Sequence, residues 1–389
     1  MVLTIGTAAP ARAAIGAGST SIPRQGAPDR SVAYQVTAAH EGVSSTPLTL
    51  PLSLRWISTF PDGSTLSYPV IGDGMVWVCA DTPTGMMLGA LRLSDGATVW
   101  KQSLGSDHPP TGPALDGDTV FTFSADGNLR AFDATSGDPL WTRNVRTPQL
   151  YAFSSPPTAS GGIVYVDGSG IGGQLVAVSE DTGETIWSAN LFAADHTAPA
   201  VASSGVVVTP TLHVYALDPS TGHEKWTHVL DGTWAGGRTP VVTDGRVYVR
   251  DPSPNVGGTV YKGTTGAAVN TFEDDGPAPV VVGPDLNQLI PSQSTLYHVD
   301  LRSNTTEWRF RHANMTTAPL AVGSSIFVGT STGRLLAVDA STGDLAWSGD
   351  AGSPISAPDE SGTSMLAGLA AAGSTVIVPA TNMLATFGD

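Results

Sequence analysis

The stretch LLAVDASTGDLAW, residues 335 to 347, carries Ala337-x-Asp339-x-x-Thr342-Gly343-x-x-x-Trp347, and this pattern returns along the chain. AFDATSGDPLW places Ala131, Asp133, Ser136, Gly137 and Trp141 in the same register, and ALDPSTGHEKW places Ala216, Asp218, Thr221, Gly222 and Trp226. AVSEDTGETIW keeps Ala177, Thr182, Gly183 and Trp187, with Ser179 in place of the Asp. ALRLSDGATVW keeps Ala90, Gly96 and Trp100. Two copies are worn: HVDLRSNTTEW keeps Asp300 and Trp308, and VYKGTTGAAVNTF keeps Thr265-Gly266 and aligns on Phe272. Trp56 opens the series. A phrase that recurs at a near-constant period means a repeat architecture, whose units each bury a face against the next.

A second signature lies between the aromatics. A proline is followed seven residues later by a branched aliphatic, as in Pro69/Val76, Pro113/Val120, Pro157/Val164, Pro199/Val206, Pro240/Val247, Pro279/Leu286 and Pro319/Ile326. PVVTDGRVYVR shows what this encodes: a short strand, an Asp244-Gly245 turn and a second strand. Each unit holds about four short β-branched runs, and the 45 Gly and 29 Pro leave little room for long helices. Four antiparallel strands per ~40–50 residues is the pattern of propeller blades. The fold class is therefore all-β, an eight-bladed β-propeller. Seven blades is the alternative if the worn unit from Phe272 to Glu307 is not a blade of its own. The Ala-rich insertion 364–373 in the final unit reads as a turn or two of helix. Ala385 then takes the motif's Ala position, and the last strand is expected to close the ring against residues 47–60.

Residues 1–46 read as an N-terminal arm and residues 47–389 as the propeller. The opening MVLTIGTAAPARAA ends an apolar run with a small-x-small pattern, so it reads as the remnant of an export signal or as an unstructured start. Residues 14–45, rich in Ser, Gly, Pro and Ala, read as a mobile linker. No later stretch approaches the ~18–20 apolar residues of a spanning helix. Eighteen basic against 34 acidic residues give a net charge of −16, which disfavours nucleic acid as a partner. The single cysteine, Cys79, excludes an intrachain disulfide and a haem attachment site. The eight histidines lack zinc-ligand spacing, and Gly168-x-Gly170-x-x-Gly173 sits between two strands with no helix to aim at a pyrophosphate.

The Ala-x-Asp-x-x-Thr-Gly-x-x-x-Trp phrase resembles the tryptophan-docking motif of the pyrroloquinoline-quinone (PQQ) dehydrogenase-like propellers, over residues ~50–389. The resemblance implies that each motif joins the outer part of one blade to the next. Trp100, Trp141, Trp187, Trp226, Trp308 and Trp347, with Gly343, Asp339, Asp218 and Asp133, are then docking residues. The physics agrees: Gly allows the tight turn, Asp pins it, and an indole buries ~150–250 Å². Enzymes of this family use PQQ, calcium and often paired cysteines. A lone Cys79 and the lack of a recognisable calcium-ligand set make no cofactor the expectation, with PQQ and calcium as the alternative. Short, cofactor-poor members resemble the outer-membrane assembly lipoprotein of the Bam complex, a docking propeller. The expected function is thus a non-catalytic, exported scaffold that binds another envelope-associated protein and is tethered, if at all, through an N-terminal anchor outside this sequence. A quinoprotein dehydrogenase of alcohols or sugars and an extracytoplasmic sensor domain are the alternatives.

Breaks in the repeat locate a binding site. Two residues before the register prolines most units carry a hydroxyl: Ser67, Thr111, Ser155, Thr197, Thr317 and Ser356. The fifth unit carries Arg238 instead, preceded by Trp234, which lies outside the Trp register. His108 and His196 stand at comparable strand starts. Arg and Trp are common interface anchors, and a guanidinium suits a carboxylate or phosphate.

Overall fold

The computed structural model describes residues 29–105, 110–145, 155–168, 173–191, 197–209, 212–230, 238–250, 257–273, 276–283, 285–360 and 365–389. Strands dominate, joined by one short 3-10 turn at Pro291–Gln293. They form eight sheets. In blades 1 to 7 the chain runs from an inner strand to an outer one. The inner strands are Val70–Gly72, Pro110–Asp116, Thr158–Ser160, Ala200–Ala202, Val241–Thr243, Val280–Val282 and Leu320–Val322. Blade 8 begins at Ala370–Ala372. Inner strands abut from blade 1 through blade 5 and between blades 6 and 7, and that of blade 8 contacts that of blade 1. Asn270 to Leu301 joins blade 5 to blade 6 and Trp347 to Phe387 joins blade 7 to blade 8, so the ring is closed. The worn unit forms its own sheet, Val280–Val282 to Thr305–Arg311, and the count is eight rather than seven.

Closure joins the two ends of the chain. Ser53–Thr59 pairs antiparallel with Met383–Gly388 and becomes the outer strand of blade 8. Thr386 is the residue opposite Trp56, so Thr386, not Ala385, stands where other blades have Ala. The bulge between Leu54 and Trp56 matches the one beside the Trp position in the other blades and confirms that register.

Six indoles reach across blade boundaries in one geometry. The Nε1–H of Trp56, Trp100, Trp141, Trp187, Trp226 and Trp308 donates to the carbonyls of Leu93, Ala134, Glu180, Pro219, Gly263 and Ala340, at 2.7–3.0 Å. Each acceptor lies in the outer turn of the next blade. A glycine beneath each ring makes the approach feasible: Gly343 has φ +76°, and a Cβ there would lie 2.8 Å from Trp308. The turns are pinned by carboxylates. Asp133 Oδ1 accepts the N–H of Thr135 and Ser136, Asp218 those of Ser220 and Thr221, and Asp339 those of Ser341 and Thr342. These hydrogen bonds hold all three carboxyls below their ordinary value.

Two boundaries differ. In blade 5 the residue opposite Val260, where the indole is expected, is Asn270 and not Phe272. Asn270 Nδ2 donates to the Leu301 carbonyl at 2.5 Å, so an amide replaces the indole N–H. Phe272 instead turns inward against Tyr248. Trp347 faces the blade assembled from the two chain ends and packs edge-on against Phe387, ring centres 5.5 Å apart.

The segment from residue 29 to 46 is no free linker. Ser31, Ala33, Tyr34, Gln35, Val36, His40, Ser44 and Thr46 are buried. The backbone N–H groups of Ile71, Leu115, Val201, Val242 and Ala321 donate to the carbonyls of Ser31, Val32, Ala38, Ala39 and Gly42, at 2.7–2.9 Å. All five donors stand two residues after a register proline, on the inner strands of blades 1, 2, 4, 5 and 7. Val43–Ser44 adds to blade 7 as a parallel strand, and Ser44 Oγ donates to Ala371 of blade 8 at 2.8 Å. The segment therefore winds once round the channel in blade order. Gly42 (φ +67°) is required there, because a Cβ would overlap Val280.

The insertion in the last unit forms no helix within its described residues 365–373. Ala370–Ala372 is the inner strand of blade 8, and the preceding residues are a strap across the other end of the channel. Tyr68 N–H donates to the Leu366 carbonyl at 2.7 Å, and Met365 and Leu366 are buried. Ser356 lies exposed on this strap, not at a strand start, so it is not one of the register hydroxyls.

Candidate binding site at the channel mouth

Each inner strand starts at the mouth and ends at a hairpin turn, so the two ends of the channel are chemically distinct. At the hairpin end, Arg30 pairs with Asp73 and donates to the Gly117 carbonyl at 3.0 Å, both in inner turns. At the mouth, the residue two before the register proline faces the residue ten after it across the first hairpin. A hydroxyl at the first position caps the N–H at the second: Ser67 with Cys79 at 3.1 Å, Ser155 with Asp167 at 2.8 Å and Thr317 with Gly329 at 2.8 Å.

Blade 5 replaces both members with arginine, Arg238 and Arg250. Arg250 is 1% exposed. Its guanidinium donates to the carbonyls of Gly276 (2.7 Å) and Thr239 (3.0 Å) and pairs with Glu360. Glu360 comes from the strap and is itself buried. Its oxygens also accept the N–H of Thr239 (3.0 Å), the N–H of Ala278 (3.1 Å) and the Tyr34 hydroxyl (3.1 Å). Burial pushes the Glu360 carboxyl up, but Arg250 and the donated hydrogen bonds outweigh this and hold it below its ordinary value. Burial and the neighbouring carboxylate keep the Tyr34 phenol protonated, as a donor must be.

Tyr34 belongs to the N-terminal segment and stacks against Tyr68 beside blade 1, with ring centres 5.5 Å apart. Glu360 is fixed to blades 5 and 6. The Tyr34–Glu360–Arg250 chain therefore spans the ring from one side to the opposite one. Among the described residues, no group of three or more His, Cys, Asp or Glu side chains could hold a metal ion. The Tyr34–Glu360–Arg250 side chains that cross the centre do not fit a quinone held there.

Arg238 lies half-buried at the mouth. Its carbonyl accepts the Thr209 hydroxyl, while its Nε is buried without a hydrogen bond. Among the described residues it forms no ion pair, although Glu360 is near enough to feel its charge. Trp234, His196 and His108 lie outside the described residues. Arg250 and Glu360 were missed in the sequence. Arg250 could have been found by counting ten residues from Pro240; no local pattern marks Glu360.

The family model described as "Outer membrane protein assembly factor BamB" matches residues 53–212, 171–289 and 292–386. The chain is 28% identical over 219 residues to the outer membrane protein assembly factor BamB of Xanthomonas campestris pv. campestris, covering 50% of this chain and 49% of that protein. It is 29% identical over 184 residues to a tetrathionate hydrolase of Acidithiobacillus ferrooxidans, covering 42% and 36%. The chain thus spans about half the length of these relatives or less. Among solved structures, BamB from Moraxella catarrhalis superposes with a TM-score of 0.66 at 17% identity, over 87% of this chain and all of that one. A europium-containing methanol dehydrogenase superposes with a TM-score of 0.73 at 14% identity, over 94% and 99%. At such identities the likeness is one of fold, shared by scaffold and enzyme alike. The family model, the recurring motif and the eight closed blades agree: the chain belongs to the PQQ-like propeller family of the outer membrane protein assembly factor BamB.

Proposed function

We propose that this chain is a docking propeller of the bacterial envelope, which offers its channel mouth to a partner protein and carries out no chemistry of its own. One observation carries the reading: the ring's centre is occupied by the chain's own Tyr34–Glu360–Arg250 bridge, while Arg238 stands at the mouth with its charge unmatched. Relatives named as outer membrane assembly factors support the envelope setting. Among the described residues no helix is long and apolar enough to cross a membrane. Trp234, His196 and His108 precede the inner strands of blades 5, 4 and 2 in sequence and are proposed to join Arg238 around the mouth.

The test is a cross-linking capture from envelope extract, comparing the unaltered chain with Arg238→Ala and Trp234→Ala. A partner band lost in both variants supports the proposal, and an unchanged pattern removes the mouth as the docking surface. The same preparation given PQQ and calcium is expected to show no rise in melting temperature and no dye-linked oxidation of alcohols or sugars. A positive result in both would make the enzyme reading the correct one.

A further inference from the structure

The mouth of blade 5 departs from its sister blades in a way that scaffolding does not explain. Where blades 1, 3 and 7 pair a hydroxyl with a backbone N–H, blade 5 carries an arginine at both positions. Arginine has no acceptor, so Arg238 cannot do the capping work of Ser67, Ser155 or Thr317. Nor does its side chain cap a carbonyl: the only Arg238 hydrogen bond among the described residues uses its backbone oxygen.

Charge makes the same point. Arg250 and Arg238 share one carboxylate, Glu360, whose oxygens are already taken by Arg250, Tyr34 and two backbone N–H groups. One positive charge is left over at a half-exposed position, in a chain whose net charge is −16. The Arg238 Nε is buried and has no hydrogen-bond partner. A planar fork of unpartnered N–H donors matches the two oxygens of a carboxylate.

We propose that Arg238 is the open half of a two-arginine carboxylate site, whose closed half, Arg250, already holds Glu360, and that the open half takes a second carboxylate presented at the mouth. The docking reading enters only in the source of that carboxylate: an Asp or Glu side chain of the partner, or a free small acid.

Purified full-length chain is heated with glutarate, with inorganic phosphate, and with chloride at matched ionic strength. Glutarate is expected to raise the melting temperature by on the order of 2 °C, as any ligand binding only the folded state must. Arg238→Gln should lose that shift, and Arg238→Lys should keep a smaller one. Without ligand, Arg238→Gln should melt close to the unaltered chain, since the Arg238 side chain makes no ion pair or hydrogen bond among the described residues; this also shows that the ring is intact. No shift with glutarate, an equal shift in Arg238→Gln, or a shift with phosphate alone would each overturn the proposal. Acetyl-Gly-Asp-Gly-amide against its Asn counterpart separates the sources. Binding of the Asp peptide assigns the site to a protein side chain, and glutarate binding without it assigns the site to free acids. If carboxylates bind but no partner is captured, the docking reading fails and this one stands. The reverse pattern sinks this one alone.

Discussion

The two ends of the channel are closed by different physics. At the hairpin end, the N-terminal segment gives backbone carbonyls to inner-strand N–H groups, so any residue compatible with the path could supply most of the bonds. At the mouth, closure rests on one ion pair and the donors that surround it. Backbone closure satisfies edges that would otherwise stay unpaired and serves stability. Closure by charge is a weaker source of stability, because desolvation offsets much of the attraction. It does fix particular side chains in particular places, and the residue left uncompensated is there, not at the hairpin end.

Removing the hairpin-end closure is the strongest test of that contrast. A chain beginning at residue 47 loses six main-chain hydrogen bonds to the inner strands, worth ~1 kcal/mol each, together with the parallel pairing of Val43–Ser44 and the buried side chains of Tyr34 and Val36. Its melting temperature should fall by roughly 10 °C. A fall of a degree or less would mean that the segment merely rests in the channel.

Glu360→Ala comes next. It leaves the Arg250 charge buried without its partner, at a cost of about 3–5 kcal/mol in chemical denaturation. Because the folded-state pKa of Glu360 lies below its ordinary value, the stability it contributes is present above pH ~4.5 and is lost as the pH falls through the folded value. The variant should therefore show a shallower acid limb. An acid limb that does not change would place the acid sensitivity elsewhere.

The smallest effect expected belongs to His40. Its Nδ1 donates to the Pro240 carbonyl at 3.1 Å, and its Nε2 is buried without a partner. Burial therefore lowers its pKa from 6.5 to about 4. The folded chain then binds fewer protons than the unfolded one between these values, so stability falls as the pH drops from about 6.5 to 4, by about 3 kcal/mol in all. His40→Asn, which tolerates the local φ of +60°, should flatten melting temperature across that window. The N-terminal segment would thus loosen at a milder acidity than the Glu360 ion pair. Identical pH profiles for the variant and the unaltered chain would erase that distinction.

What could be read in the sequence follows from how local each signal is. Eight blades and their register came from Trp and Pro at fixed spacing, because each docking contact is built by a short, recurring phrase. Arg238 stood out because it broke that phrase. Asn270 was legible in principle by counting ten residues from Val260, but the aromatic Phe272 drew the alignment two residues on. The channel-winding segment was read as a linker because its work is done by carbonyls, which every residue has. Its Ser, Gly and Ala carry no trace of that role. Glu360 is the extreme case: its partners lie 82 to 326 residues away, and only folding brings them together.

The path of the N-terminal segment also sets an order of assembly. Its partners lie on blades 1, 2, 4, 5, 7 and 8, and the last of them, Ala371, stands 327 residues after Ser44 in the chain. The outer strand of blade 8, Ser53–Thr59, waits for the same moment, since its mate is Met383–Gly388. Residues 29–44 and 53–59 thus find their places only once the strands of blade 8 exist. Until they do, inner edges stay unpaired, and commitment to the ring waits for blade 8.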